Sequence, residues 1–270
     1  MTKNYFYNEN CFDTLKKMQE KGYKVNMVLT SPPYNTARTC TTERAREILN
    51  NRYDIHLDNM TDEEYKNWTK NLFDEFDNVL EKNGVILYNI SYGSDNPNAM
   101  WVAVEAILKS NFMIADTIIW KKKSALPNNT SPNKLTRITE FILVICRKNE
   151  YGTYQANKSV KSTNSKGQKY YENVFNFIEA PNNDGPCKLN KATFSSELVL
   201  QLLNMYAHPN DKVYDPFIGT GTTCIGCMKY NNGENDLVCI GSELSAAQIE
   251  FAKNRIEEFK NNNCGNNSLQ

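Results

Sequence analysis

Six apolar runs of strand length, Val25 to Thr30, Gly84 to Ile90, Ile114 to Trp120, Glu140 to Arg147, Lys212 to Asp215 and Leu237 to Ser242, punctuate the chain. Between most of them lie stretches whose apolar residues recur every three or four positions. Runs this rich in Val, Ile and Leu suit strands buried on both faces, which a mostly parallel sheet flanked by helices provides. The alternation therefore predicts an α/β fold. The predicted helices are Thr61 to Leu80, opened by a capping-box-like Thr61-Asp-Glu-Glu64, then Ala99 to Lys109, Ser195 to Tyr206, Thr222 to Tyr230 and Ser245 to Phe259. A length of 270 residues suits one large domain, expected over 1–260, with Lys260 to Gln270 as an Asn-rich frayed tail.

The 31 basic and 31 acidic residues cancel, so contact with nucleic acid must come from local clusters rather than an overall cationic field. Lys121, Lys122, Lys123, Lys134 and Arg137 form one stretch free of acids, and Lys158, Lys161, Lys166 and Lys169 form another. With no long apolar run and a polar, aromatic stretch from Met1 to Asn10, a cytoplasmic protein is expected. The 8 cysteines are then expected as free thiols. Cys224 and Cys227 have C-x-x-C spacing, but a second close Cys or His pair is missing, so helix packing is favoured over a metal site.

Two motifs carry chemistry. Thr30-Ser31-Pro32-Pro33-Tyr34-Asn35 follows the run Val25 to Leu29, at the carboxyl end of a strand where open α/β sheets bind ligands. Consecutive prolines make a stiff corner that holds Ser31 and the Pro32 carbonyl as oriented hydrogen-bonding groups beside the ring of Tyr34. Such a corner suits a planar amine. Pro-Pro-Tyr also occurs in linear ligands of small recognition modules, but those sit in disordered segments rather than against a buried strand.

The second motif, Val213-Tyr214-Asp215-Pro216-Phe217-Ile218-Gly219-Thr220-Gly221-Thr222-Thr223, runs from a strand through a glycine turn into a helix. Glycines there let a ligand approach the backbone. Cys224 stands where a dinucleotide fingerprint needs its third glycine, and no Gly-Lys-Ser/Thr follows, which disfavours nicotinamide and ATP. One strand-helix unit later, Cys239-Ile-Gly-Ser-Glu243 ends a strand on a carboxylate, suited to ribose hydroxyls.

Together, Ser-Pro-Pro-Tyr and Asp-Pro-Phe-x-Gly-x-Gly-Thr resemble the catalytic and cofactor motifs of the bacterial DNA amino-methyltransferases that make N4-methylcytosine or N6-methyladenine. The order of the motifs resembles that family's β group. The resemblance implies a class I S-adenosylmethionine-dependent methyltransferase fold with a seven-stranded sheet. It implies Asn10, Asp215, Phe217, Gly219, Gly221, Thr222 and Glu243 around S-adenosylmethionine, and Ser31, Pro32, Pro33 and Tyr34 at the target base. Two places depart from the family pattern: Glu9-Asn10 stands where Gly-Asp is usual, and the His-Pro expected near Lys191-Ala192 is absent.

An exocyclic amine is a poor nucleophile because its lone pair is delocalised into the ring. By the resemblance, its protons are accepted at Ser31 Oγ and the Pro32 carbonyl, which favours a pyramidal nitrogen, while Tyr34 stacks the flipped base. Serine before Pro-Pro tilts the expectation to cytosine N4 over adenine N6. RNA or glutamine methylation and a catalytically silent DNA-binding subunit are the rival expectations. The substrate implied is double-stranded DNA. A small target-recognition insert at about 148–190 predicts a short site, read with help from a second protomer. A homodimer and a cognate restriction endonuclease are left open by the sequence.

Overall fold

The computed structural model describes residues 3–36, 59–93, 96–125, 127, 129, 131–185, 187, 189–190, 193–231 and 236–264. In chain order the elements are β1 (Lys3–Tyr7), α1 (Cys11–Glu20), β2 (Val25–Thr30), α2 (Asp62–Val79), β3 (Leu80–Ile90), α3 (Ala99–Lys109), β4 (Phe112–Lys122) and β5 (Thr139–Arg147). There follow β6 (Val160–Thr163), β7 (Lys169–Tyr171), β8 (Phe177–Ala180), α4 (Ser196–Tyr206), β9 (Lys212–Asp215), α5 (Thr222–Tyr230), β10 (Val238–Ser242) and α6 (Ala246–Cys264).

The main sheet has the order β1-β10-β9-β2-β3-β5-β4-β8. Only β5 runs against its neighbours; the other pairings are parallel. The alternation of side chains along each strand divides the interior into two cores. Met27, Leu29, Val213 and Cys239 face α4, α5 and α6, whereas Val28, Tyr214 and Ile240 face α1, α2 and α3. The α/β expectation holds, with one strand more than the seven implied. β8 adds in parallel to β4 at the sheet edge, and its exposed Phe177 and Glu179 alternate with buried Ile178 and Ala180.

The same alternation on β1, an edge strand with half-exposed aromatic residues, explains why a polar N-terminal stretch folds as a strand. The expected insert likewise divides: β6 and β7 form a separate antiparallel hairpin, while β8 belongs to the main sheet. The expected tail is shorter, because α6 continues to Cys264; residues 265–270 lie outside the described residues. At the start of α2, Thr61 Oγ1 accepts from the Glu64 N–H and Glu64 Oε2 from the Thr61 N–H, the capping box foreseen. Among the described residues no helix is long and apolar enough to cross a membrane.

One expectation about cysteine is overturned. The crossover from α5 to β10 sets Cys224 and Cys239 at a Cα separation of 5.5 Å, and they form a disulfide. Cys227, the other half of the C-x-x-C spacing, is buried as a free thiol.

α4 and α5 touch where Gly226 has no side chain: a Cβ there would lie 2.2 Å from Val199 Cγ1 and 2.5 Å from Val199 Cβ. Neither helix can yield without disturbing the core, so Gly226→Ala is expected to destabilise the protein by about 1–3 kcal/mol. A melting temperature equal to the parent's would refute that packing.

Candidate active site

The two sequence motifs end adjacent parallel strands. β2 pairs with β9 through Met27↔Val213 and Val28↔Tyr214, so Thr30 at the end of β2 lies beside Asp215 at the end of β9. Thr30 Oγ1 donates to Asp215 Oδ1 at 2.8 Å, Thr223 Oγ1 to Oδ2 at 2.5 Å, and the Phe217 N–H to Oδ1 at 3.0 Å. Asp215 is 1% exposed. It is thus a buried strut that ties the start of the Ser-Pro-Pro-Tyr corner to the glycine turn and to α5.

Burial pushes the Asp215 carboxyl up to about 6, against the pull of the Thr223, Thr30 and Phe217 hydrogen bonds. With its folded pKa above its unfolded one, the folded state keeps a proton that the unfolded state has released. The group's stabilising contribution is therefore full below about pH 4 and lost as pH rises through about 6. Asp215→Asn avoids the buried charge, and the threonine hydroxyls can accept as well as donate. Its stability relative to the parent is expected to improve by about 2–3 kcal/mol between pH 4 and pH 7. Denaturant melts of both proteins at the two pH values test this; a constant difference would show that Asp215 does not titrate in that window.

Gly219 and Gly221 adopt φ of +50° and +81°, the left-handed region that favours glycine. The turn is closed by the Gly221 N–H to the Ile218 carbonyl at 2.9 Å. Glu243 ends β10 directly opposite: Oε2 accepts from the Gly219 N–H at 3.1 Å and Oε1 from the Ser245 N–H at 2.9 Å. Thr222 opens α5 with its hydroxyl accepting from Arg255 of α6 at 3.0 Å. Phe217 is half-buried and tilts against Trp68 at 5.7 Å between centroids; Trp68 also stacks on Tyr65.

Asn10 is the N-cap of α1, its Oδ1 accepting from the Phe12 N–H at 3.0 Å. It sits at the same end of the sheet as Glu243, because the Glu243 N–H donates to the Tyr7 carbonyl and Asn8 Nδ2 to the Glu243 carbonyl. Lys191 and Ala192, where the family's His-Pro is absent, lie outside the described residues, as does 37–58.

The corner itself is held from several elements. Tyr65 of α2 donates its hydroxyl to the Pro33 carbonyl at 2.9 Å. Asn35 is buried at φ +54°, a conformation asparagine tolerates better than most residues. It exchanges two hydrogen bonds with the Met60 backbone, at 2.8 and 2.9 Å, and its carbonyl accepts from Asn96. Ser31 Oγ lies 2.9 Å from Tyr34 Oη, so the two side chains picked out by sequence do converge.

Three further residues surround that pair. Tyr34 Oη lies 3.1 Å from Glu140 Oε2, and Asn89 Nδ2 is within 2.8 Å of Tyr34 Oη and 3.1 Å of Glu140 Oε2. Lys122 pairs with Glu140 Oε1. Asn89 interrupts the apolar run of β3 and Glu140 begins that of β5; a polar side chain within a buried strand was the signal that could have found them. The same pairing alters the expected basic patch, since Lys122 meets Glu140 and Lys121 meets Glu179 across strands. Arg137 donates to the Tyr92 carbonyl and lies over its ring. Among the described residues no group of three His, Cys, Asp or Glu side chains is arranged to hold a metal.

Residues 25–254 match the N6/N4 family described as DNA methylase. The Type II methyltransferase M.Cfr9I of Citrobacter freundii is 26% identical over 157 residues, spanning 58% of this chain and 49% of that protein. The chain thus spans about half the length of that relative. The Type II methyltransferase M.MjaI of Methanocaldococcus jannaschii is 24% identical over 245 residues, spanning 78% of this chain and 80% of that protein. Among solved structures, the M1.HpyAVI-SAM complex superposes with a TM-score of 0.60 at 21% identity over 93% of this chain and 99% of that one. The PvuII DNA methyltransferase (cytosine-N4-specific) superposes with a TM-score of 0.64 at 15% identity over 94% of this chain and 86% of that one. At those identities the likeness establishes the fold.

Proposed function

Because this chain belongs to the N6/N4 DNA methylase family, we propose that it moves a methyl group from S-adenosylmethionine to the exocyclic N4 of a cytosine flipped out of double-stranded DNA. The observation that carries this is the hydrogen bond from Thr30 to Asp215, which couples a corner built for a planar amine to a turn built for a nucleoside. Serine rather than aspartate before Pro-Pro is what favours cytosine over adenine.

The residues of the turn fit S-adenosylmethionine. A Cβ at Gly221 would meet the Ala252 Cβ at 2.9 Å, and one at Gly219 would crowd Asn190 and Gln248 at 3.2 and 3.3 Å, so only glycine at both places lets the turn close tightly beside Glu243. Glu243 would take the ribose hydroxyls, with Phe217 beside the base and Gly219, Gly221 and Thr222 framing the turn. Asn10 is the candidate for the adenine edge, and Asp215 holds the frame from beneath. When bound, S-adenosylmethionine supplies an electrophilic methyl group on a sulfonium.

The chain's own residues prepare the nucleophile. Ser31 Oγ and the Pro32 carbonyl accept the two amine protons and turn the nitrogen lone pair out of conjugation. Pro33, fixed through Tyr65, keeps the corner rigid, and the ring of Tyr34 stacks the flipped base. Flipping costs a few kcal/mol, offset by contacts to the rest of the duplex. The β6–β7 hairpin and its flank offer exposed Tyr170, Tyr171 and Phe175 among Lys158, Lys161, Lys166 and Lys169, a combination suited to backbone and groove contact. We assign target recognition to this part of 148–190. The chain acts at a short site, as a Type II modification enzyme would, and a second protomer would widen the contact.

Incubation with S-adenosylmethionine and unmodified plasmid, digestion to nucleosides and mass spectrometry test the proposal. N4-methylcytidine is the expected product. N6-methyladenosine would keep the site and change the base, while an unmethylated plasmid despite cofactor binding would point to RNA, a glutamine side chain or a silent subunit.

A further inference from the structure

We propose that Glu140 is the terminus of a proton relay that runs from the target amine through Ser31 and Tyr34, with Asn89 as the residue that fixes its direction. The relay rests on the proposed function, since it needs the amine at Ser31.

Direction follows from what each group can donate. The Glu140 carboxylate only accepts, so the 3.1 Å contact must be a hydrogen bond from the Tyr34 hydroxyl. The amide of Asn89 must turn its NH2 towards that carboxylate, and it thereby also donates to Tyr34 Oη. With its own proton committed to Glu140, Tyr34 Oη accepts from Ser31 across 2.9 Å. Ser31 Oγ then presents lone pairs, not its proton, to the amine. This orientation leaves Asn89 Oδ1 buried with no hydrogen-bond partner, a cost that the two bonds donated by its NH2 offset. Asn89 is 6% exposed and Lys122 holds the far oxygen of Glu140, so the carboxylate is fixed at both ends.

Methyl transfer makes the need for such a relay plain. The nitrogen lone pair forms the new N–C bond as the S–C bond breaks, its electrons passing to sulfur. The nitrogen is left cationic and must lose a proton before its lone pair can rejoin the ring. That proton passes to Ser31 Oγ as the serine proton moves to Tyr34 Oη and the tyrosine proton to Glu140. The carboxylate ends as a carboxylic acid, with Ser31 and Tyr34 unchanged.

Glu140→Gln keeps the shape and removes the proton acceptor, whereas Glu140→Ala opens space for a small carboxylate. Single-turnover methylation by either variant is expected to slow about a hundredfold. Duplex DNA affinity, read by fluorescence anisotropy without cofactor at a temperature below the melt of both variants, is expected to stay within about twofold. Added formate is expected to accelerate Glu140→Ala at least about tenfold and leave Glu140→Gln unmoved, a rescue that a merely structural glutamate would not give. Full-rate methylation by Glu140→Gln while Ser31→Ala is inactive, or no response of Glu140→Ala to formate, overturns the relay alone. A parent protein that methylates no DNA amine overturns the proposed function, and the relay with it.

Discussion

A Ser31→Ala protein is expected to bind S-adenosylmethionine and duplex DNA as the parent does, yet to methylate at least about 10²–10³-fold more slowly. The alanine keeps the proline-fixed backbone and the Pro32 carbonyl but removes the acceptor proposed to redirect the amine lone pair. It also breaks the contact to Tyr34 at 2.9 Å. Tyr34→Ala should be as severe, because it removes the proposed stacking face and the Tyr34 contacts to Ser31, Asn89 and Glu140 together. Single-turnover rates with radiolabelled cofactor, beside equilibrium binding, separate the two contributions. A Ser31→Ala rate within about tenfold of the parent would mean that the corner positions the base through backbone alone.

The largest effect on stability is expected at Arg147, far from the chemistry. It ends β5 and reaches back to the junction of α2 and β3. One guanidinium nitrogen donates to the Asp77 and Leu80 carbonyls at 2.9 and 2.8 Å, and another to the Glu81 carbonyl at 2.9 Å. It also pairs with the Asp77 and Glu150 carboxylates. Burial works against the Asp77 carboxylate, yet hydrogen bonds from Arg147 and Asn111 hold it below the usual carboxylate range. Arg147→Ala strips the cation from two part-buried anions and leaves three carbonyls without a donor, a loss of about 3–5 kcal/mol. Lysine, a point charge without the planar fork, should recover only part of it. Chemical denaturation measures both variants; a cost below about 1 kcal/mol would mean that water replaces the guanidinium freely.

The layered fold was legible because its central strands are buried on both faces and therefore read as unbroken apolar runs: β2 and β9 have the predicted bounds. α3 and α5 do as well, since their apolar spacing and flanking residues agree. The edge strands were not legible. β8 buries alternate residues only and β1 half-buries them, over four or five positions, too short a window for a period of two to stand out. In the site, the prolines of the corner and the glycines of the turn announced themselves through backbone restriction. Asn89, Glu140 and Lys122 did not, because they arrive from three different strands and gain meaning only when β3, β4 and β5 lie side by side. The Cys224–Cys239 pair was hidden for the same reason: its partners belong to different elements.

The hydrogen bond between Thr30 and Asp215 joins residues 185 positions apart, and it lies on the seam between β2 and β9. In a chain that emerges from its amino end, β2, β3, β4 and β5 are available long before β9 exists, and β2 must wait with one edge unpaired. Distant pairings of this kind slow folding, and an unpaired edge invites pairing with another chain. The middle of the sheet thus closes late, once β9 has emerged and shortly before β10 joins it to β1, and the groups that would meet base and cofactor come together only in that stage. A partly made chain holds the Ser-Pro-Pro-Tyr corner without the glycine turn, so the proposed activity must await the last strands of the sheet.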